Sequence, residues 1–399
     1  MKEVVIAGYL RSAQSRSNPG KPEKDVFGKL RADDILARVV PELLDRTGVA
    51  PDGLDDFIVG SAMGVTEQWT FGGRTPVFLT NLNESVPAKF IDQQCGSGMA
   101  AIHTGFMEIA TGFADCVLAC GMEHMTRVPM GPVLFDKGVL SLNPALSEDE
   151  TYAGWDMPVI MNMGLTAEKL FDATGFTRKE LDEWSVRSHQ RAVEALKKGF
   201  FKDEIFPVSA PQADGSVLEV DRDMNIRENA SLDAMADLKP VFREDGVITP
   251  GNASPLNAGA AAMVLMSKEK ADKMGIKPLA RIRSIGFAGV DPTVMGRGPV
   301  PATQKALSAC GLTASDVDFW EVNEAFAVVT LNFIKEMGID PDKVNINGGA
   351  VALGHALGMT GIRITGTLAR ILESETAAVG CANACVGGGQ GTAVIIEKV

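Results

Sequence analysis

Residues 90–99 read FIDQQCGSGM: an apolar, strand-like lead-in, a cysteine, a Gly-Ser-Gly step, and the first residue of an apolar helical pattern. A thiol at a strand-to-helix junction has two readings. Cysteine is a small hydrophobe that packs almost anywhere. At a helix N-terminus, Cys95 would instead meet free N–H groups and the positive end of the helix dipole, which favour a thiolate. The stretch alone leaves both open.

Outward from Cys95 the same alternation of strand and helix continues. VVIAGYL (4–10), DDFIVGSA (55–62), AKFIDQQ (88–94) and DCVLACG (115–121) read as strands. Residues 31–47 place Ile35, Leu36, Val39, Val40, Leu43 and Leu44 at helical spacing, and Met99, Ile102, Phe106 and Ile109 line one face of a helix between Gly96 and Gly112. Strands alternating with helices predict an α/β fold with a parallel sheet covered on both faces. The last 120 residues repeat the order: ARIRSIGFAG (280–289), a helix at 300–310, VDFWEVN (317–323), a helix at 324–337, KVNIN (343–347), a helix at 358–374, then AAVGCANACV and GTAVIIE. Wording recurs as well, GLDDFIVG in the first half and DVDFWEVN in the second, so the chain reads as two copies of one β/α unit. Residues 121–250 break the pattern with charge, methionines and long loops, and SPLNAGAAAMVLMSKEKA (254–271) returns to a buried strand. The expected organisation is 1–120 plus 251–275 as one half, 276–399 as the other, and 121–250 as an inserted loop domain.

Composition bounds the function. A chain of 399 residues has room for about two or three domains. A net charge of −13 argues against nucleic acid and anionic membrane as partners. The N-terminal segment has no apolar signal core and no stretch approaches the ~18 apolar residues of a membrane span. Six cysteines without a signal point to reduced thiols in the cytoplasm. The pairs Cys116/Cys120 and Cys381/Cys385 fall in apolar strand-like runs, not in the loops a structural zinc prefers, so no metal site is expected.

Four segments sit at strand-to-helix junctions or in glycine-rich loops beside them: QQCGSGMAA (93–101), EVNEAFAV (321–328), NGGAVALGHALGMTG (347–361) and NACVGGGQG (383–391). Ligands of parallel sheets bind at the carboxyl ends of strands, so two related halves could bring all four to one pocket. In order and spacing these segments resemble the thiolase family. So do GMEHM (121–125) with VPM (128–130), MGLTAEKL (163–170), GNASPLNAGAA (251–261) and MGRGPVP (295–301), and the resemblance spans nearly the whole chain.

The resemblance implies a five-layer αβαβα arrangement of two related halves with an inserted loop domain, assembled as a homodimer or homotetramer. It implies CoA-dependent cleavage of 3-ketoacyl-CoA to acetyl-CoA and a shortened acyl-CoA, and the reverse Claisen condensation. The cycle is ping-pong, with CoA as co-substrate, no tightly bound cofactor, and an enzyme of β-oxidation as a partner. By the same resemblance Cys95 is the nucleophile, His355 activates it, and Cys385 exchanges a proton with the acetyl carbon. His355 and a water on Asn323 would stabilise the enolate, and the backbone N–H groups of Cys95 and Gly387 the tetrahedral oxygen. Arg227, Ser254 and Met163 match positions that contact CoA or substrate.

Three departures stand out. Ala356 follows the histidine where the family usually has proline, which is expected to loosen the loop. Ala258 replaces an acidic residue, and Asn162 stands where short-chain acetoacetyl thiolases carry histidine, leaning toward a wider acyl range. Four other functions compete. A biosynthetic acetoacetyl-CoA thiolase would react with the short substrate alone. A ketoacyl synthase lacks the paired Cys385, and a papain-like protease would carry cysteine where Gly98 stands. A thiolase-like acyl-CoA-binding protein would not turn over.

Overall fold

The computed structural model describes residues 1–80, 82–128, 138 and 140–399; Pro129 and Met130 of the VPM segment lie outside them. Strand β1 (Val4–Arg11) belongs to two cores at once. Val5, Ala7 and Leu10 join one apolar cluster and Val4, Ile6 and Tyr9 another, as a strand covered on both faces requires. The remaining strands are β2 (Asp56–Gly60), β3 (Ala88–Ile91), β4 (Cys116–His124), β5 (Val208–Pro211), β6 (Val217–Val220), β7 (Ala258–Ser267), β8 (Ala280–Gly289), β9 (Phe319–Val322), β10 (Val379–Val386) and β11 (Gln390–Glu397). Nine of them form one sheet in the order β3-β2-β4-β7-β1-β8-β11-β10-β9, while β5 and β6 pair separately. The expected parallel sheet is corrected to a mixed one, because parallel pairing is confined to β3–β2–β4 and β10–β9 and the strands between them pair antiparallel.

The order is a palindrome of two related halves. Reading outward from the antiparallel β1–β8 seam, where Val4, Val5 and Ile6 oppose Ile282, Arg281 and Ala280, each half runs through an antiparallel partner, β7 or β11, to a parallel pair, β4–β2 or β10–β9. On the first side β3 closes the edge; on the second only Val344 bridges Trp320. The KVNIN strand expected there does not form. Asn345 takes φ 48° and its side chain replaces the missing ladder, Oδ1 accepting from the Val322 N–H at 2.8 Å and Nδ2 donating to the Val322 carbonyl at 3.0 Å. The β5–β6 hairpin is likewise not legible in the sequence, because β6 is exposed from Val217 to Glu219 and shows no apolar alternation.

Three apolar clusters separate the layers. Helix Ala32–Thr47 covers one outer face with Ile35, Leu36, Val39 and Leu43 against Val5, Leu10 and Phe57. Helices Pro299–Ala309 and Ala327–Met337 cover the other, where Trp320, Phe333 and Ile395 are buried. Helices Ser97–Thr111 and Leu357–Ser374 fill the middle: Met99, Ile102, Met359 and Ile362 share one cluster with Ile58 of β2 and Val394 of β11. The two halves of the one sheet thus flank the central helices, and the stack is helix, half-sheet, helix, half-sheet, helix.

The two central helices touch through backbone. A methyl group added at Gly361 would land on the Met99 amide nitrogen, and one at Gly98 on the Gly358 carbonyl. Glycine is needed at such close approaches. The contact lies in the first turns of both helices, so the residues just before them, Cys95 and His355, are delivered to the same place. Gly361→Ala should lower the unfolding free energy by about 1–3 kcal/mol, the overpacking cost exceeding alanine's better helix propensity of about 1 kcal/mol. Urea unfolding measures this; a raised midpoint would show that the helix spacing relaxes freely.

Candidate active site

Cys95 lies in a single turn of 3-10 helix, Gln94–Gly96, between the end of β3 and helix Ser97–Thr111. The turn is strained and pinned. Gln94 has φ 50°, its N–H donates to Asp92 Oδ1 at 2.9 Å, and Ser97 Oγ accepts from the Gln93 N–H at 2.9 Å while donating to the Gln94 carbonyl at 2.7 Å. The sulfur packs with Ala62, Met125 and Leu357. Burial pushes the thiol up to about 11, although the N–H groups of Gly387 and of Cys95 itself work the other way. Of the two readings left open for Cys95, the helix N-terminus does not by itself give a thiolate: desolvation outweighs the backbone donors, and the resting group is a thiol.

His355 sits on the other central helix's approach, after Gly354 at φ 110°. A side chain at 354 would strike Asn257, whose Oδ1 accepts from the His355 N–H at 2.7 Å. The ring is held at both nitrogens. Thr360 Oγ1 donates to the Ala356 carbonyl at 2.9 Å and lies 2.6 Å from Nδ1, so it accepts the Nδ1 proton. Nε2 is left with its lone pair, 3.4 Å from the Asn323 amide Nδ2, which donates. Burial first, and the Arg363 charge second, lower the imidazole to about 3, so it is neutral at physiological pH. A neutral ring with Nε2 free to accept is the form a general base must have.

Ala356 does not loosen this loop. Its N–H, which proline would lack, donates to Gln14 Oε1 at 2.9 Å. Ala258 is fully buried in β7, and its carbonyl accepts from the Ser15 N–H at 2.9 Å. Asn162 caps the helix Met163–Thr174, Oδ1 accepting from Gly164 at 3.1 Å and Leu165 at 3.2 Å.

Cys385 comes to the same place by strand register. Asn383 opposes Val322 in the parallel β9–β10 pair, and the Asn323 N–H donates to the Asn383 carbonyl at 2.8 Å, which sets Asn323 and Cys385 beside each other at the strand ends. Burial pushes the Cys385 thiol well above its ordinary range, and the proximity of Cys95 raises it further. Gly96 packs against Val386, and Gly387 faces Met163 and Gln94. Cys95, His355, Asn323, Cys385, Gly387 and Met163 are therefore assembled. Ser254 borders the group through its N–H, which donates to the Ala325 carbonyl at 2.9 Å. Arg227 is not assembled with them: its guanidinium is exposed, and its backbone N–H donates to His189 Nδ1 at 3.2 Å.

Sequence reasoning passed over four supports. Glu123, in the GMEHM segment, is buried and raised to about 8 by that burial, yet it accepts from the Ala62 N–H at 2.9 Å, the Gly358 N–H at 3.0 Å and Gln68 Nε2. It caps helix Leu357–Ser374, which has no capping side chain of its own. Asn257, Thr360 and Gln14 hold His355 or its loop. Glu123, Asn257 and Thr360 lie inside the motif segments; for Gln14 the sequence carries no signal. Glu324 is a second buried carboxylate with a structural part, accepting from Trp184, Ser188 and Val351 at 2.6–2.9 Å.

Comparison with known proteins agrees in extent. The thiolase N-terminal domain family matches residues 12–269 and the thiolase C-terminal domain family residues 276–398. The 3-ketoacyl-CoA thiolase of Cronobacter sakazakii is 41% identical over 404 residues, covering all of both chains. The acetyl-CoA acetyltransferase of Chromobacterium violaceum is 41% identical over 397 residues, 99% of this chain and 100% of that one. Among solved structures, human mitochondrial 3-ketoacyl-CoA thiolase in complex with CoA superposes with a TM-score of 0.86 at 32% identity, covering 100% of this chain and 98% of the other. With two family domains spanning nearly every residue and full-length relatives at this identity, the chain belongs to the thiolase family.

Proposed function

We propose that the protein cleaves 3-ketoacyl-CoA with CoA, giving acetyl-CoA and an acyl-CoA two carbons shorter, and catalyses the reverse condensation. The observation that carries this reading is a neutral imidazole with a free Nε2 lone pair on the turn before one central helix, while a buried thiol stands on the turn before the helix packed against it and a second buried thiol lies close enough to be raised by the first. His355 Nε2 takes the Cys95 proton as the sulfur attacks the C3 ketone. The tetrahedral oxygen is received by the N–H groups of Cys95 and Gly387, each such donor being worth about 2.7–4 kcal/mol in the transition state. The C2–C3 bond breaks, its electrons pass into the thioester enolate, and protonated His355 with a water on Asn323 Nδ2 holds the enolate oxygen. Cys385 gives its proton to C2 and acetyl-CoA leaves. A second CoA returns a proton to Cys385, and its thiolate attacks the acyl-Cys95 carbonyl. The expelled Cys95 thiolate recovers its proton from His355.

The CoA complex of a related thiolase supports CoA as co-substrate here. We assign residues 121–250, whose first four residues still complete β4 and whose chain returns to the sheet at β7, to CoA binding between the halves 1–120 with 251–275 and 276–399. Ser254 and Met163 border the sulfur end of that path, and Arg227 lies toward the exposed end. Among the described residues no helix is long and apolar enough to cross a membrane, and all six cysteines are free, which supports a cytoplasmic enzyme fed by a dehydrogenase that makes 3-ketoacyl-CoA. The unpaired outer edge of β3 and the exposed ring cluster Trp69, Phe71 and Phe78 near it support a homodimer formed on that side.

Three outcomes test the reading. Cys95→Ser should lose the burst of CoA released from acyl-CoA, whereas Cys385→Ala should keep the burst and lose carbon–carbon exchange, a drop of at least about a hundredfold; no burst from the wild type leaves only a binding protein, and a burst that persists in Cys95→Ser places the nucleophile elsewhere. Because burial raises the Cys95 thiol to about 11, its thiolate fraction, and so its alkylation by iodoacetamide in the free enzyme, should keep rising past pH of about 9.5–10, where an ordinary thiol, half ionised at about 8.5, levels off. A plateau there would contradict the buried-thiol account. Phe78→Asp should shift the protein toward monomer in sedimentation; an unchanged oligomer would place the interface elsewhere.

A further inference from the structure

Gln14 is buried, and both ends of its side-chain amide serve the loop that carries His355. Nε2 donates to the carbonyls of Leu353 at 3.0 Å and Gly354 at 3.1 Å, and Oε1 accepts from the Ala356 N–H at 2.9 Å. One amide thus brackets the imidazole on both sides. Its backbone is fastened in turn. The Gln14 N–H donates to Asp223 Oδ1 at 2.8 Å, and the Gln14 carbonyl accepts from the Met224 N–H at 3.0 Å. Asp223 receives two bonds from the Arg11 guanidinium, at 2.8 and 2.9 Å, and Arg11 Nε donates to Glu204 at 2.8 Å. Arg11, Glu204 and Asp223 are all buried, so this base is a fixed one.

We infer that Gln14 is a positioning residue for His355, tying the imidazole loop to the strand end at Arg11 and to the Asp223–Arg227 segment. The inference rests on His355 serving as the base for Cys95. A specific feature separates it from ordinary core packing. Ala356 has φ −67°, the angle a proline ring imposes, so the backbone there could be held by a ring instead of by a side-chain partner. Ala356→Pro alone strands the buried Gln14 Oε1 without a donor, and Gln14→Leu alone strands the Ala356 N–H without an acceptor. Each orphan is costly where water cannot reach. The double variant removes both orphans and lets the ring hold the angle, leaving unanswered only the Gln14 bonds to the Leu353 and Gly354 carbonyls. The two substitutions must therefore interact.

The test is a double-variant cycle in the full-length protein: Gln14→Leu, Ala356→Pro and the two together, with His355→Ala beside them. Single-turnover release of CoA from acyl-CoA, KM for the same thioester and the thermal midpoint are measured for each. The expected result is a fall in acylation of between about ten- and a hundredfold in each single variant, with KM nearly unchanged and the double variant faster than Ala356→Pro alone. Should Gln14→Leu not fold by itself, a double variant that folds and acylates faster than Ala356→Pro supports the inference, and one that fails to fold overturns it. Wild-type acylation by Gln14→Leu overturns it, as does a double-variant loss equal to the product of the single losses. So do rates that merely follow the thermal midpoint. An unimpaired His355→Ala would instead remove the base assignment on which the inference stands.

Discussion

The backbone contact between the two central helices is the constraint on which the site depends. Because Gly98 and Gly361 bring helices Ser97–Thr111 and Leu357–Ser374 together without intervening side chains, the turns preceding them meet. A cysteine from one half and a histidine from the other then share one small volume. The sheets supply the rest. The parallel register of β9 and β10 sets Asn323 beside Cys385, and the glycines after Cys385 allow the chain to fold back over the sulfur of Cys95.

The electrostatics of that volume are set by burial more than by any single partner. Both thiols are raised and the imidazole is lowered, so every group is neutral until a substrate arrives. The hydrogen bonds then decide roles. Thr360 fixes the imidazole proton on Nδ1, Asn323 faces the other nitrogen, and Glu123 binds the N-terminus of the helix that follows His355. Glu123 and Thr360 hold their neighbours through bonds that no loop movement of solvent-exposed residues would disturb, since both are buried.

Much of this was legible in the residues. ARIRSIGFAG coincides with β8 end to end, and the helical spacing of Ile35 to Leu44 matches the face that helix Ala32–Thr47 buries. Local periodicity reports burial directly, which is why these elements stand out. What was hidden depends on contacts between distant segments. KVNIN has strand composition, yet Asn345 substitutes its side chain for the ladder. The thiol of Cys95 sits at a helix start, as its surroundings in sequence suggest, but Ala62, Met125 and Leu357 arrive from elsewhere and desolvate it. The alanine after His355 looked like a loss of rigidity, and only the fold reveals Gln14 against its N–H. Arg227 matched a family position, yet no contact among the described residues ties its guanidinium to the sulfur group.

Division of the reacting groups between the halves also orders events during synthesis. Cys95 emerges about 260 residues ahead of His355, which at roughly 5–20 residues per second is a delay of between about ten seconds and a minute. Throughout that interval the ribosome-bound chain carries the proposed nucleophile without its proposed base, and helix Ser97–Thr111 lacks the partner that covers it. A nascent chain of this kind stays chemically silent until nearly its last strands are made, and the first turnover certifies a finished molecule.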